Sequence, residues 1–260
     1  WISPGGRTDS WSNTWNAPKF QRNRGGEWTA FTKNEYPELD GFTDVVCIAV
    51  NPSNQEHIFV GSWGGGLLEF LNGEFVQRYT NLNSPLETAL PQKPTEPFVR
   101  IGGLDFDSEG NLWITNSLVA KNLLKLSPSG EWESFALSNV ANDKNIGQLI
   151  VTQSDDKWIL IARGHDAYVV NKNGTEIKQL LVTAYFNNGV HEEFTRMNDV
   201  YSIAEDNEGA IWIGTSQGIA VYNSPRRVWE EDEIYATRPS LDLNDGIYHP
   251  LLKTETVTAI

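Results

Sequence analysis

Short apolar runs rich in Val, Ile and aromatic residues alternate along this chain with turns made of Asp, Asn, Gly and Pro. The clearest copy is Val200-Tyr201-Ser202-Ile203-Ala204-Glu205, the turn Asp206-Asn207-Glu208-Gly209, then Ile211-Trp212-Ile213-Gly214-Thr215 and Ile219-Ala220-Val221-Tyr222. A second copy runs from Gly103-Leu104-Asp105-Phe106 through Leu112-Trp113-Ile114-Thr115 to Leu123-Leu124-Lys125-Leu126, and a third from Leu149 through Trp158 to Asn171. The most degenerate copy holds Val46-Cys47-Ile48-Ala49-Val50, Ile58-Phe59-Val60-Gly61 and Leu67-Leu68-Glu69-Phe70. Runs of this length and composition, bounded by turn formers, predict β-strands, and no stretch carries a sustained helical period with caps.

A glycine turn followed by glutamate and an outward strand closes each repeat. It reads Gly26-Glu27-Trp28, Gly73-Glu74-Phe75, Gly130-Glu131-Trp132 and, more loosely, Gly174-Thr175-Glu176. A period of roughly 45–55 residues made only of short strands is the signature of propeller blades. The chain is therefore expected to be an all-β propeller of five four-stranded blades, at about 1–31 plus 255–260, 42–80, 100–136, 146–181 and 199–230. Trp1 falls at the second strand of a repeat and Glu255 to Ile260 reads as a first strand, so one blade is expected to draw on both ends. The alternative is an arc cut from a larger propeller, and the full-length protein is expected to be longer than this excised segment.

The tryptophans at 1, 113, 158 and 212, with Phe59 in the same slot, are expected between blades. A large side chain fully buried there contributes roughly 1.5–3 kcal/mol. Trp11, Trp15 and Trp63 break the repeat and are the candidates for exposure. The insertion from Leu82 to Phe98 carries Pro85, Pro91, Pro94 and Pro97 and reads as a stiff loop without strands, a candidate partner contact.

A net charge of −14 argues against a sequence-independent surface for nucleic acid or for anionic membranes, since both need a positive patch. No apolar run approaches the ~18–20 residues of a membrane span, so direct membrane insertion by this segment is not expected. The single cysteine, Cys47, sits in an apolar strand and reads as a buried thiol.

Metal and catalytic motifs are weak. Asp105-x-Asp107-x-Glu109-Gly110 opens like a calcium loop, but its twelfth position is Asn116 and strands flank it, so a hairpin turn is the expected role. His57, His165, His191 and His249 lack metal-ligand spacing, and Gly61-Ser62-Trp63-Gly64 lacks that of a nucleophile elbow. No metal, cofactor or catalytic residue is assigned. Asp44, Asp105 and Asp199 are the one carboxylate set that a glycoside hydrolase would use. Asp44-Val45-Val46 and Asp199-Val200-Tyr201 enter their strands as equivalents, which favours a repeated structural role.

Two departures from the repeat stand out as candidate ligand sites. Trp63 with Gly64, Gly65 and Gly66 offers bare backbone beside an aromatic ring, against a tight hairpin as the structural reading. Arg163, His165 and Asp166 place a cation, an imidazole and a carboxylate at an equivalent blade turn, against a solvated turn with a local ion pair. Equivalent turns emerge on one face, so the two clusters are expected to share it. In an acidic protein, Arg163 would supply the cation for an anionic glycan.

The stretch Asp206 to Tyr222 resembles the two-component-regulator propeller repeat of Bacteroidetes proteins, which includes periplasmic sensors of hybrid histidine kinases. His57 to Phe70, the following Tyr79 to Leu86, and Asp245 to Leu252 resemble the PorZ-type propellers of the type IX (Por) secretion system. That second resemblance implies a non-enzymatic protein of the cell surface or periplasm that works with secretion-system proteins and binds anionic lipopolysaccharide. The first implies the glycan-sensing domain of a two-component kinase, with sensor-complex partners. A glycoside hydrolase is the third class.

Overall fold

The computed structural model describes residues 1–138, 141–142, 144–164, 166–187, 192–241, 243 and 248–260. These form two compact units, residues 1–146 and 147–260. Helix among the described residues is confined to short 3-10 turns such as Pro37–Leu39 and Pro225–Trp229.

The first unit holds three blades. The hairpin β1 (Lys19–Arg24) and β2 (Glu27–Thr32) is extended by Ile2, which bridges Gln21. Next come β3 (Val45–Val50), β4 (His57–Gly64), β5 (Leu67–Leu71) and β6 (Glu74–Tyr79), each antiparallel to the one before. The third blade is β7 (Val99–Phe106), β8 (Leu112–Asn116), β9 (Leu123–Leu126) and β10 (Trp132–Phe135).

The second unit holds β11 (Ile146–Val151), β12 (Lys157–Ile161), β13 (Asp166–Val170) and β14 (Ile177–Leu181) in sheet order. A separate hairpin follows, β15 (Thr183–Asn187) and β16 (Glu192–Arg196). The last blade has three regular strands, β17 (Val200–Glu205), β18 (Ile211–Thr215) and β19 (Gly218–Tyr222). Its fourth place is taken by Thr237, which exchanges backbone hydrogen bonds of 2.7 and 2.8 Å with Val221. The segment in between begins at Pro225, which has no N–H to give a sheet ladder and starts a 3-10 turn instead.

Burial is greatest in the middle strands of the sheets and falls toward the rim. β8, β12 and β19, largely apolar in sequence, are buried at every position, whereas β6 and β10 mix half-buried and exposed positions. The cores lie between neighbouring sheets. Phe20, Phe31, Ile58 and Phe70 join the first two blades, and Phe59, Leu67, Ile101 and Leu112 the next two. In the second unit Trp158 and Leu160 meet Ile211, Ile213 and Tyr222, with the Trp158 and Tyr222 rings 5.3 Å apart. Phe59 and Trp158 thus stand between blades, where the repeat puts them.

The recurring glycine of each Gly-Glu pair has positive φ in all four copies, +92° at Gly26, +83° at Gly73, +85° at Gly130 and +74° at Gly174. A side chain there would clash with its own backbone, which is why the residue repeats. The innermost strand is also bulged at its start in three blades, between Val45 and Cys47, Ile101 and Leu104, and Val200 and Ser202.

The Asp turns explain the calcium-like spacing. Asp107 Oδ1 accepts the backbone N–H groups of Glu109 and Asn111, and its Oδ2 accepts the Trp113 indole N–H at 2.8 Å. Asp206 does the same for Glu208, Ala210 and the Trp212 indole, again at 2.8 Å. The repeated carboxylate therefore closes a turn and holds the repeated tryptophan.

The segment 255–257 lies against β18 as the start of β7 lies against β4. Gly218 N–H donates to Glu255 O and Gly66 N–H donates to Val99 O, both at 3.1 Å. At the equivalent positions Gly214 and Gly61, a Cβ would collide with Val257 and with Ile101, respectively.

Candidate functional site

In the first unit, the loop before β1 and the turn after β4 converge on Trp63. Its ring is wholly buried, at 0% exposure, which corrects the expectation that Trp63 is exposed. The cause is topological. β4 continues past its own blade and pairs with β7, Trp63 opposite Arg100 and Gly64 opposite Val99. The glycines admit protein rather than ligand, since a Cβ on Gly64 would strike the Phe98 ring and one on Gly65 the Phe42 ring. Ser62 Oγ accepts the Gly65 N–H at 2.6 Å and tightens the turn.

Around that ring stand two cations. The Arg7 guanidinium carbon lies 3.8 Å from the Trp11 ring centroid and 5.0 Å from that of Trp63, and the Arg100 carbon lies 5.2 Å from both Trp63 and Phe98. Trp11 meets Trp63 edge-on at 5.3 Å and accepts its indole N–H through its backbone carbonyl at 2.9 Å. Burial lowers the Arg7 pKa to about 10 and also depresses that of Arg100, where Asp44 acts in the opposite sense. Arg7 Nη1 and Arg100 Nε are buried with no hydrogen-bond acceptor among the described residues. Burial likewise pushes the Cys47 thiol up to about 12, so it stays protonated at neutral pH.

Asp44 is the carboxylate whose charge acts on Arg100, and it is already committed. At positive φ (54°) and 0% exposure, it accepts from Asn13 Nδ2, Thr14 Oγ1, Trp15 N and Asn16 N at 2.8–3.1 Å. These four donors occupy both of its oxygens and fix the 13–16 loop, a structural role. Asp199 shares its positive φ, at 42°. The loop that Asp44 holds presents Trp15, 66% exposed, with its ring 6.1 Å from Phe98. Trp15 is thus the off-repeat tryptophan that faces solvent.

In the second unit, the turn after β12 carries Arg163, exposed and at φ 56°. Gly164 N–H donates back to Ile161 O at 3.3 Å, and Gly164 O accepts Val200 N–H at 3.0 Å. Asp166 opens β13, and its Oδ1 is buried without a hydrogen-bond partner among the described residues. His165 and His191 lie outside the described residues. His57 bonds Glu69 through Nε2 at 2.8 Å, and Tyr79 donates to the other oxygen of Glu69 at 2.6 Å, a bridge within one blade. Among the described residues no three His, Cys, Asp or Glu side chains gather as a metal ion would need.

Bladed antiparallel sheets, cores between blades and a turn-closing Asp bonded to a repeated Trp define a β-propeller. Residues 197–217 match the two component regulator propeller family. Over 94% of its length the chain is similar to PorZ, an essential bacterial surface component of the type-IX secretion system of Porphyromonas gingivalis, with 29% identity and a TM-score of 0.81. It covers 34% of PorZ, so it spans about a third of that protein's length. The extracellular domain of BT4673 from B. thetaiotaomicron, described as a hybrid two component system, aligns with 100% of this chain and 31% of its own at 16% identity and a TM-score of 0.57. Virginiamycin B lyase from Staphylococcus aureus aligns over 80% of this chain and 61% of its own at 12% identity and a TM-score of 0.56. These last two share the fold alone. No curated protein sequence matches the chain. Among the described residues no helix is long and apolar enough to cross a membrane.

Proposed function

We propose that this chain is a non-enzymatic binding and scaffolding propeller, placed outside the cytoplasm and associated with a type IX secretion apparatus. The likeness to PorZ over 94% of the chain is the observation that carries this reading. Its proposed ligand is an anionic glycan or lipopolysaccharide. In the first unit the ligand would lie on Trp15 beside Arg100 and Arg7, whose buried Nε and Nη1 have no acceptor among the described residues and beside which Asp44 is already engaged. Trp63, Gly64 and Gly65 would then act from behind, holding Arg100 in place. In the second unit Arg163 with Asp166 is the proposed contact, together with His165. An anion that binds the folded state raises its stability by mass action. Titration with purified anionic lipopolysaccharide and with heparin is expected to raise Tm, and Arg100→Gln to weaken binding about tenfold. Equal binding by wild type and variant, or a response to neutral dextran equal to that to heparin, would overturn the site.

The repeat match at 197–217 favours a second reading, the glycan-sensing domain of a hybrid two-component kinase. The full-length architecture separates the two, since a membrane span and kinase module belong only to the sensor.

A further inference from the structure

The second unit carries a cleft of about 430 Å³ between the end of β14, one face of β16 and the segment 232–235. That volume lies within the ~300–1,000 Å³ of small-ligand sites. Its mouth is aromatic. Phe194 and Tyr235 are 53% and 42% exposed and meet edge-on at 5.0 Å, and Tyr185 lies behind Phe194 at 4.8 Å. The rings are fixed from below. Tyr185 pairs with Phe194 across the hairpin and takes a 2.8 Å hydrogen bond from Asn187, while the Tyr235 hydroxyl donates to Glu233. Gln179, Arg196 and Asp232 line the same cleft, and none of the three side chains has a hydrogen bond or ion pair among the described residues. Asp232 and Glu233 in its lining make that side of the rim acidic.

We infer that this cleft is a second binding site, for a short neutral saccharide, independent of the anionic site proposed above. The apolar C–H face of a pyranose covers an exposed ring, and its hydroxyls both donate and accept. Asp232 accepts, Arg196 donates and Gln179 does both, so the uncommitted groups match a polyol. An apolar helix or peptide would desolvate these three groups and leave them unpaired, at a cost to binding. The acidic rim repels a polyanion, which separates this site from the first. Because the rings are already locked, little ordering accompanies binding.

The test titrates the intact chain with maltohexaose, mannohexaose, cellohexaose and chitohexaose, with heparin in parallel. At least one neutral hexasaccharide is expected to bind, and Phe194→Ala or Tyr235→Ala to weaken it about tenfold or more. Arg196→Gln, which leaves the rings intact, is expected to weaken it severalfold, and none of the three to alter heparin binding. The inference is overturned if no neutral hexasaccharide binds or if the variants bind it as wild type does. It is equally overturned if a displayed peptide library yields binders lost in Tyr235→Ala while every saccharide fails. Loss of heparin binding alone speaks against the first site and leaves this one standing.

Discussion

The turns that follow β4 and β12 occupy the same place in their repeats, and they have opposite fates. Residues 61–66 are buried throughout, because β4 runs on to pair with β7 and the three glycines let Phe98 and Phe42 close over them. In the turn after β12, Arg163 is exposed at positive φ, and the backbone closes locally from Gly164 to Ile161. Both turns depart from the repeat in sequence. One departure makes room for the protein's own rings and the other presents a charge to solvent. A break in a repeat marks a special position without saying whether protein or ligand fills it.

The contrast predicts a graded series. Trp63→Ala removes a fully buried ring and is expected to cost about 3–5 kcal/mol in urea unfolding. A loss below about 1 kcal/mol, the scale of a surface change, would mean that the ring is not core. Gly61→Ala forces a Cβ against Cys47 and Ile101, and Gly214→Ala against Ser202 and Val257, and each is expected to cost about 1–3 kcal/mol, read from the same unfolding curves. Unchanged midpoints would show that the next segment does not sit so close.

Asp206→Asn tests the turn lock and has a pH signature. The Trp212 indole, followed by backbone N–H groups, holds the Asp206 pKa below its ordinary value. A carboxylate lowered on folding contributes stability that is present above its unfolded value of about 3.9 and is lost as pH falls through the folded value. Wild type is therefore expected to exceed the variant in stability at neutral pH, and the gap to close in acid. A gap independent of pH would contradict the lock. Arg163→Ala, at an exposed turn, is expected to stay within about 0.5 kcal/mol of wild type in unfolding midpoint.

Blades were legible because their signals are local. Glycine at Gly73 and Gly130 repeats for its φ, and Asp206 with Trp212 repeats as a bonded pair six residues apart, although the bond itself does not show in the spelling. The burial of Trp63 was not legible, since it depends on β4 outrunning its blade to meet Arg100. Nor was the commitment of Asp44, whose four donors come from a loop some thirty residues earlier. The β15–β16 hairpin, Thr-Ala-Tyr-Phe-Asn with Glu-Glu-Phe-Thr-Arg, falls between repeats and shows no clean two-residue alternation, so the repeat pattern passes over it. Its cleft also needs Tyr235 from far along the chain, so no short motif announces it.

Trp15→Ala and Trp63→Ala, measured side by side for melting temperature and for affinity toward anionic lipopolysaccharide, test the central assignment of core and face. Trp15→Ala should keep the wild-type Tm and lose about tenfold in affinity, because its ring is 66% exposed. Trp63→Ala should lower Tm by several degrees or more, with binding lost only as far as the loop of Arg100 loosens. A Trp63→Ala protein that melts like wild type but no longer binds, beside a Trp15→Ala protein that binds normally, would contradict the account.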